Sequence, residues 1–465
     1  MARLHLSRRK TISIAKVKAM TNQEIKMDSG NNSSTTDHQA VETFAWDFVS
    51  YIANSPSSFH AAQQGALILK DAGFEEVEET QEWNASPGGH YLIRGGALMA
   101  WFVPEGASEK SGFRIIGAHT DSPGFKLKLS PNLQSAGWQQ AAVEVYGGPI
   151  LASWLDRELV LAGKLGLSDG TTRLVSTPPV LRIPSLAIHL DRDANNALTL
   201  DKQRHMQPVF SCGHPDLSIL DVLAHAADVQ AEDIISHDLI TADAQPGEIF
   251  GATNDFLASG RLDNLSSLYP GLCALVEASQ DVVVGKKGSP DILVLAAFDH
   301  EEVGSATVTG AAGPILEDVI YRTATALGAN NEGIRRMIAA STCVSADAAH
   351  SIHPNYPERH DPTNFPVLGS GPALKINANQ RYASNTETEA LWIQACQRAG
   401  VPSQVFVGNN AVPCGSTIGP ITATRLGIPT VDVGVPLLSM HSARELASIS
   451  DIHMLMRALH SYLVG

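Results

Sequence analysis

The feature that most constrains this chain is the stretch from Asp291 to Ser305, DILVLAAFDHEEVGS, in which an apolar run stops at a cluster of acids. A run as short as Ile292–Phe298, and as rich in Ile, Val and Leu, predicts a strand buried on both faces. The two glutamates that follow, Glu301 and Glu302, would repel each other in a cleft unless something neutralised them. A bound cation would do so, with one carboxylate as its ligand and the other free to move protons. The alternative is an ordinary acidic loop before a helix.

Composition excludes several classes of partner. The 465 residues exceed one ordinary core, so we expect two domains or one large domain with an insertion. No apolar run reaches the roughly 18 residues that cross a bilayer, and the formal net charge of −15 disfavours nucleic acid, so neither a membrane nor nucleic acid is expected as a partner. The 5 cysteines are widely spaced and form no CxxC, which predicts a reducing compartment and no disulfide framework.

The first residues of the chain differ from the rest in charge. Residues 1–23 hold several Arg and Lys side chains and no acid, and residues 28–38 form a polar linker. This composition predicts a disordered tail over residues 1–38, or an organelle transit segment. We expect the protein in the cytoplasm, with a plastid or a mitochondrion as the alternative if the tail is a transit segment.

Helical and strand-like patterns alternate everywhere except in a central region. Residues 39–122 and 251–465 predict an α/β catalytic domain, whereas residues 123–250 contain short strand-like runs between turns and predict an inserted β-rich domain. The helices expected in the α/β part are Phe59–Gly73, Ser266–Ser279 and Thr386–Ala399, and its strands are His90–Val103, Phe113–Ala118, Met337–Val344 and Pro429–Val433. The strands expected in the insertion are Ala142–Tyr146, Glu158–Ala162, Thr172–Val175 and Leu186–Leu190.

Several apolar runs are followed, like the opening one, by side chains that bind metals. Besides the Asp299–Glu302 cluster, these are His119 with Asp121, Asp347 with His350 and His353, and His441; a further candidate, Asp263, lies just before a helix. In open α/β sheets the carboxyl ends of strands line the functional crevice, so these groups can converge there. Two histidines with three or four carboxylates suit a pair of divalent cations such as zinc, with one carboxylate bridging them.

Each candidate ligand also has a structural alternative. His119 could be a buried core histidine and His441 a surface loop histidine, while Asp263 could cap its helix and Asp347 could belong to a turn. Other mechanisms find less support, because the chain has neither an HExxH pair nor a GxSxG elbow, and Cys414 lacks a local nucleophile signature.

At these residues the chain resembles the aspartyl aminopeptidase family of di-zinc metallopeptidases, over nearly all of residues 41–465. The stretches that carry the resemblance are Asn54–His60, Gly117–Pro123, Gly260–Asn264, Phe298–Ser305, Ser345–His350, Lys375–Ser384 and Met440–Glu445. The resemblance implies a mixed-sheet metallopeptidase domain flanked by helices, with an inserted β-rich domain that mediates dimer contacts. It also implies a homododecamer built from dimers.

The resemblance further implies a role for each site residue. His119 and Asp347 would bind one zinc ion, Glu302 and His441 the other, and Asp263 would bridge the two. Glu301 would act as the general base toward a metal-activated water, and Asp121 would support His119.

The substrates implied are peptides with an N-terminal Asp or Glu. Lys375 would bind the acidic side chain with Tyr382 beside it, and Met440 would line the same pocket. His189 would reach the active site of a neighbouring subunit and stabilise the oxyanion, although it could instead be a buried structural histidine. Two alternatives stay open, namely the same hydrolase with a preference for neutral residues, and a non-catalytic assembly or cargo protein that keeps the metal-site residues.

Overall fold

The computed structural model describes residues 32–285 and 290–465. The chain forms two compact units, Met1–Ala40 and Val41–Gly465, and the described part of the first is the beginning of helix α1 (Asn32–Ala53). Residues 1–31 of the predicted tail lie outside the described residues. The predicted linker was wrong from Asn32 onward, because that segment lacks the Gly or Pro that would stop the helix from extending toward the N-terminus.

A nine-stranded mixed sheet forms the centre of the second unit. In spatial order its strands are β1 (Glu75–Glu76), β2 (Gly88–Arg94), β3 (Ala97–Val103), β14 (Ile292–Phe298), β4 (Phe113–His119), β15 (Thr342–Ala346), β19 (Thr430–Gly434), β17 (Ala373–Ile376) and β18 (Gln404–Val407). The neighbours β14, β4, β15 and β19 run parallel, so their carboxyl ends lie at one edge of the sheet.

Helices cover both faces of this sheet. They are α2 (Ser58–Asp71), α4 (Leu262–Val283), α5 (Ile315–Ala326), α6 (Asn331–Ala339), α7 (Thr386–Ala399), α8 (Ile418–Leu426) and α9 (Ile449–Val464). Alternate residues of β14 enter two different cores: Leu293 and Leu295 pack with α2, α4 and α9, whereas Ile292 and Val294 pack with α5, α6 and α8. This is why the strand is apolar along its whole length.

A second sheet of seven strands comes entirely from between Gly124 and Asp243. Its strands are β5 (Gly124–Ser135), β6 (Trp138–Tyr146), β7 (Glu158–Leu167), β8 (Thr172–Ser176), β9 (Leu181–Arg182), β10 (Val209–Cys212) and β11 (Ile234–Asp243). An additional pairing between β11 and β7 closes six of them into a ring, with β8 attached outside. We call this element the inserted barrel; with helix α3 (Ile219–Ala227) it encloses its own apolar core.

A third sheet of five short strands adjoins the site described below. It contains β12 (Glu248–Phe250), β13 (Phe256–Ser259), β16 (Ala349–His350), β20 (Pro436–Leu438) and β21 (Glu445–Ser448). Among the residues described, no helix is both long and apolar enough to span a bilayer.

Most of the predicted elements are confirmed, and helix Thr386–Ala399 has its predicted bounds. The strand predicted at Leu186–Leu190 was wrong. That segment consists of turns and irregular chain, with Leu186 61% and Leu190 74% exposed, because no strand of the described chain pairs with it. The strand predicted at Met337–Val344 was wrong in its first part. Its first residues end helix α6, and the strand begins at Thr342.

Candidate metal centre

The predicted ligands converge at the edge where the parallel strands end. His119 is the last residue of β4 and pairs with Phe298, the last residue of β14, so the turn that carries Glu301 and Glu302 starts beside it. Asp347 directly follows β15. The remaining two candidate ligands come from the start of α4 (Asp263) and from the loop between β20 and β21 (His441).

Two histidine nitrogens and the neighbouring carboxylates form one continuous cluster. His119 Nε2 lies 3.3 Å from Asp263 Oδ1 and 3.5 Å from Asp347 Oδ1. His441 Nε2 lies 3.3 Å from Asp263 Oδ2 and 3.4 Å from Glu302 Oε2. The two oxygens of Asp263 therefore face different histidines, as a carboxylate shared between two cations would.

These separations fit ligands that surround a cation. They exceed the usual N–H···O length of about 2.7–3.2 Å. Ligand atoms about 2.0–2.2 Å from a tetrahedral zinc ion are about 3.3–3.6 Å apart. In addition, Asp263 Oδ1 and Glu302 Oε1 are buried, and neither has a hydrogen-bond partner among the described residues. Ligand atoms of His119, Asp263 and Glu302 lie within 4.8 Å of one another, so the donor set fits a divalent metal ion.

The charges of the cluster also favour a cation. Burial raises the pKa of Glu301 to about 8, and burial raises the pKa of Glu302 well above its usual range, with Asp263 adding to the effect. Burial opposes protonation of His119, but Asp121, Asp263 and Asp347 raise its pKa well above the ordinary value. Such a concentration of acids holds protons unless a metal ion replaces them.

The adjacent glutamates differ in exposure and contacts. The Glu302 side chain is 3% exposed and contacts His441, whereas that of Glu301 is 17% exposed and its Oε2 lies 3.9 Å from His119 Nε2. The structure thus places Glu302 among the candidate ligands and the more exposed Glu301 at their margin.

Asp121 contacts His119 and also the backbone of both Glu301 and Glu302. Its main-chain oxygen lies 3.1 Å from His119 Nδ1, and its Oδ1 lies 3.4 Å from the same nitrogen. Its carboxylate accepts hydrogen bonds from the backbone N–H groups of Glu301 (3.0 Å) and Glu302 (3.1 Å). Asp121 therefore orients the imidazole and fixes the turn that carries both acids.

Sequence reasoning missed three residues that support this cluster. The Glu445 carboxylate is buried and accepts from the backbone N–H groups of His441 (2.8 Å) and Asp263 (3.1 Å). Tyr146, from the inserted barrel, donates a hydrogen bond from Oη to Asp121, and the main-chain oxygen of Gly148 lies 3.1 Å from His441 Nδ1. Glu445 lies inside one of the stretches that carry the family resemblance, Met440–Glu445, but its role and that of Gly148 depend on contacts between residues far apart in sequence, which no local pattern encodes.

The predicted substrate residues lie next to the cluster. Lys375 is only 2% exposed, and its Nζ donates to the main-chain oxygen of Ala348 (2.9 Å) and lies 3.6 Å from Asp347 Oδ2. The same amine lies 5.2 Å from the centre of the Tyr382 ring. Tyr382 and Met440 line one groove.

Three predicted residues are not brought into the cluster. His350 and His353 line the groove with Met440 instead. His189 lies in an exposed turn of the insertion, which excludes the alternative of a buried structural histidine.

A buried His–carboxylate cluster beside a groove, on the edge of a mixed α/β sheet, is the kind of site that metal-dependent hydrolases use. The family described as aminopeptidase I zinc metalloprotease (M18) matches residues 51–463. A probable M18 family aminopeptidase 2 of Streptomyces coelicolor is 48% identical over 421 residues, covering 90% of this chain and 96% of that protein.

Solved structures agree with this assignment. A chain of the solved complex of Ape4 and Nbr1 superposes with a TM-score of 0.88 at 33% identity, covering 91% of this chain and 86% of that one. The S. cerevesiae mApe1 dodecamer gives a TM-score of 0.79 at 28% identity, covering 91% and 97%. The chain belongs to the M18 family of zinc aminopeptidases.

Proposed function

We propose that this aminopeptidase removes N-terminal Asp and Glu residues from peptides. The observation that carries the proposal is Lys375, a buried ammonium beside the ligand Asp347. An ammonium has three donors, and among the described residues only the main-chain oxygen of Ala348 accepts one of them. The contact to Asp347 is too long for a hydrogen bond, so donors remain for a substrate carboxylate. Burial strengthens that attraction relative to a surface ion pair.

The cluster supports a division of roles among its members. His119 and Asp347 would hold one metal ion, Glu302 and His441 a second, and Asp263 both. When bound, the ions would polarise the scissile carbonyl and acidify the attacking water. Glu301 would accept the proton of that water and deliver it to the leaving amine.

The inserted barrel supports a proposal of self-association. Leu186, Ile188 and Leu190 are all exposed and flank His189. A relative of this chain, mApe1, forms a dodecamer. We propose that this segment contacts a second copy in a homo-oligomer, with dimers as building blocks of a dodecamer, and that His189 reaches the partner's site to stabilise the oxyanion.

The activity test compares Asp-, Glu- and Leu-anilide hydrolysis with and without a chelator. We expect faster cleavage of the acidic substrates, loss with chelator and recovery with zinc. Cleavage that is insensitive to chelator would refute the metal mechanism. Faster cleavage of the Leu substrate would refute the acidic preference in favour of a neutral one, and no cleavage at all would favour the non-catalytic alternative.

The specificity test uses Lys375→Ala. We expect a higher KM for acidic substrates and little change for the Leu substrate, because only the acidic side chain needs the ammonium. The control is Lys70→Ala, which removes the same charge from the exposed end of α2. An equal loss with all three substrates would show that Lys375 is a structural partner of Asp347.

A further inference from the structure

The inserted barrel reaches the metal centre through the last residue of β6. Tyr146 Oη donates to Asp121 Oδ2 at 2.7 Å. The same oxygen accepts the backbone N–H of Glu302, and Oδ1 accepts that of Glu301. One tyrosine of the barrel is therefore linked, through a single carboxylate, to the turn that holds both acids and to the imidazole of His119.

The chain that follows Tyr146 surrounds His441. Gly148 O lies 3.1 Å from His441 Nδ1, and the backbone N–H of Ile150 donates to His441 O at 2.9 Å. Ser153 Oγ accepts the N–H of Ala443 at 2.9 Å. A carbonyl only accepts, so Nδ1 of His441 carries a proton in this contact, and Nε2 is the nitrogen left to bind a cation. Nε2 is the atom that faces Asp263 and Glu302.

The approach of this turn to the ligands is close enough to require glycine. Gly147 has φ +68°, and a Cβ there would lie 3.2 Å from Glu302 Cβ and 3.4 Å from Pro123 Cβ. A larger residue would thus be strained in its backbone and crowded against the Glu302 side chain.

We propose that Tyr146 and the turn 147–153 of the inserted barrel are positioning residues of the metal centre. They fix the tautomer and position of His441 and the orientation of Asp121, so the barrel determines metal affinity in addition to any contact it makes with other copies. This inference rests on the metal centre assigned above. It makes the catalytic domain without the insertion an incomplete metal site.

The test measures zinc affinity of full-length Tyr146→Phe by competition with a chromogenic chelator, without substrate. Loss of a direct hydrogen-bond partner of a ligand typically weakens metal binding about 10- to 100-fold. Tyr146 acts through Asp121, one contact further from the ligand His119, so we expect a change near the lower end of this range. The matched control is Tyr51→Phe, which removes a buried tyrosine hydroxyl that donates to Ala61 O at 2.9 Å, away from the site. It should lower thermal stability but leave zinc affinity unchanged.

A second variant guards against misfolding of the first. Ser153→Ala removes one acceptor at a partly exposed position, and we expect zinc affinity to fall a few-fold with thermal stability nearly intact. Unchanged zinc affinity in both barrel variants, or an equal loss in Tyr51→Phe, would overturn the proposal. Because no peptide is present, the measured zinc affinity does not depend on the preference for acidic substrates. If that preference is wrong, the positioning role of Tyr146 can still hold. If zinc affinity does not change, the proposed role of Lys375 in specificity is unaffected.

Discussion

Replacing Glu445 with glutamine is the perturbation for which the structure gives the clearest expectation. The two carboxylate oxygens of Glu445 accept one backbone N–H each, from Asp263 and from His441. Glutamine offers one acceptor oxygen and one NH₂ group of nearly the same shape. The NH₂ group of the glutamine then faces one of the two backbone N–H groups, which is also a donor. The residue that carries this N–H group, Asp263 or His441, loses its hydrogen bond to position 445.

The magnitude follows from the cost of one buried, unsatisfied N–H group, which is about 1–3 kcal/mol. Without metal, the backbone at Asp263 or His441 can move away from the amide and avoid this cost. Metal binding requires Asp263 and His441 to return to their original positions, so the cost of the unsatisfied N–H group lowers the affinity for zinc. At a factor of ten for every 1.4 kcal/mol, Glu445→Gln should weaken zinc binding about 5- to 150-fold.

The assay is again chelator competition, combined with thermal unfolding of the metal-free protein. Asp451→Asn is the matched control, because Asp451 is also a buried carboxylate that accepts two backbone N–H groups, from Gly369 and Gly371, each at 2.7 Å. It should lose stability without losing zinc affinity. If Glu445→Gln and Asp451→Asn lose similar stability and bind zinc as the unmodified protein does, Glu445 only stabilises the fold and the reasoning fails.

Three further predictions concern other parts of the structure. Glu301→Gln should keep the fold and zinc content but lower kcat at least about 100-fold, because an amide accepts no proton; undiminished turnover of the Asp-anilide would exclude Glu301 as the base. Gly434→Ala should weaken zinc binding and lower the melting temperature, because its Cβ would overlap the carbonyl of Asp347, whereas Gly106→Ala, with its nearest neighbour 4.0 Å away, should be close to neutral in both measurements. Burial raises the pKa of Asp451 from 3.8 to about 7, so between these values the native state keeps a proton that the unfolded chain has released. The free energy of unfolding should therefore fall as pH rises from about 4 to 7, by up to about 4 kcal/mol relative to Asp451→Asn, in urea titrations across that range; a difference independent of pH would contradict the raised pKa.

The sequence predicted those parts of the fold whose pattern is local. The run Ile292–Phe298 is buried on both faces and forms a strand with these bounds, and helix α7 has its predicted bounds, ending before Gly400. The convergence of His119 with the other candidate ligands was predicted because the carboxyl ends of strands line the functional crevice of an open α/β sheet.

The prediction failed where a strand-like pattern had no neighbouring strand to pair with. Leu186, Ile188 and Leu190 alternate like a strand, yet pairing depends on an available edge elsewhere in the chain. The roles of Tyr146 and Glu445 were missed for a related reason, since each acts on a residue far away in sequence. Local periodicity carries no information about such contacts.

The order of the ligands along the chain has a consequence for synthesis. His119 precedes the whole inserted barrel, and His441 lies on the last loop before the strand β21 and helix α9. His119, Asp263, Glu302 and Asp347 therefore all leave the ribosome before His441 does. Until that last loop has emerged, Asp263 faces one histidine instead of two, and Glu302 lacks the imidazole that contacts it. A chain that stops before this loop lacks His441 and cannot form the arrangement in which the two oxygens of Asp263 face two histidines.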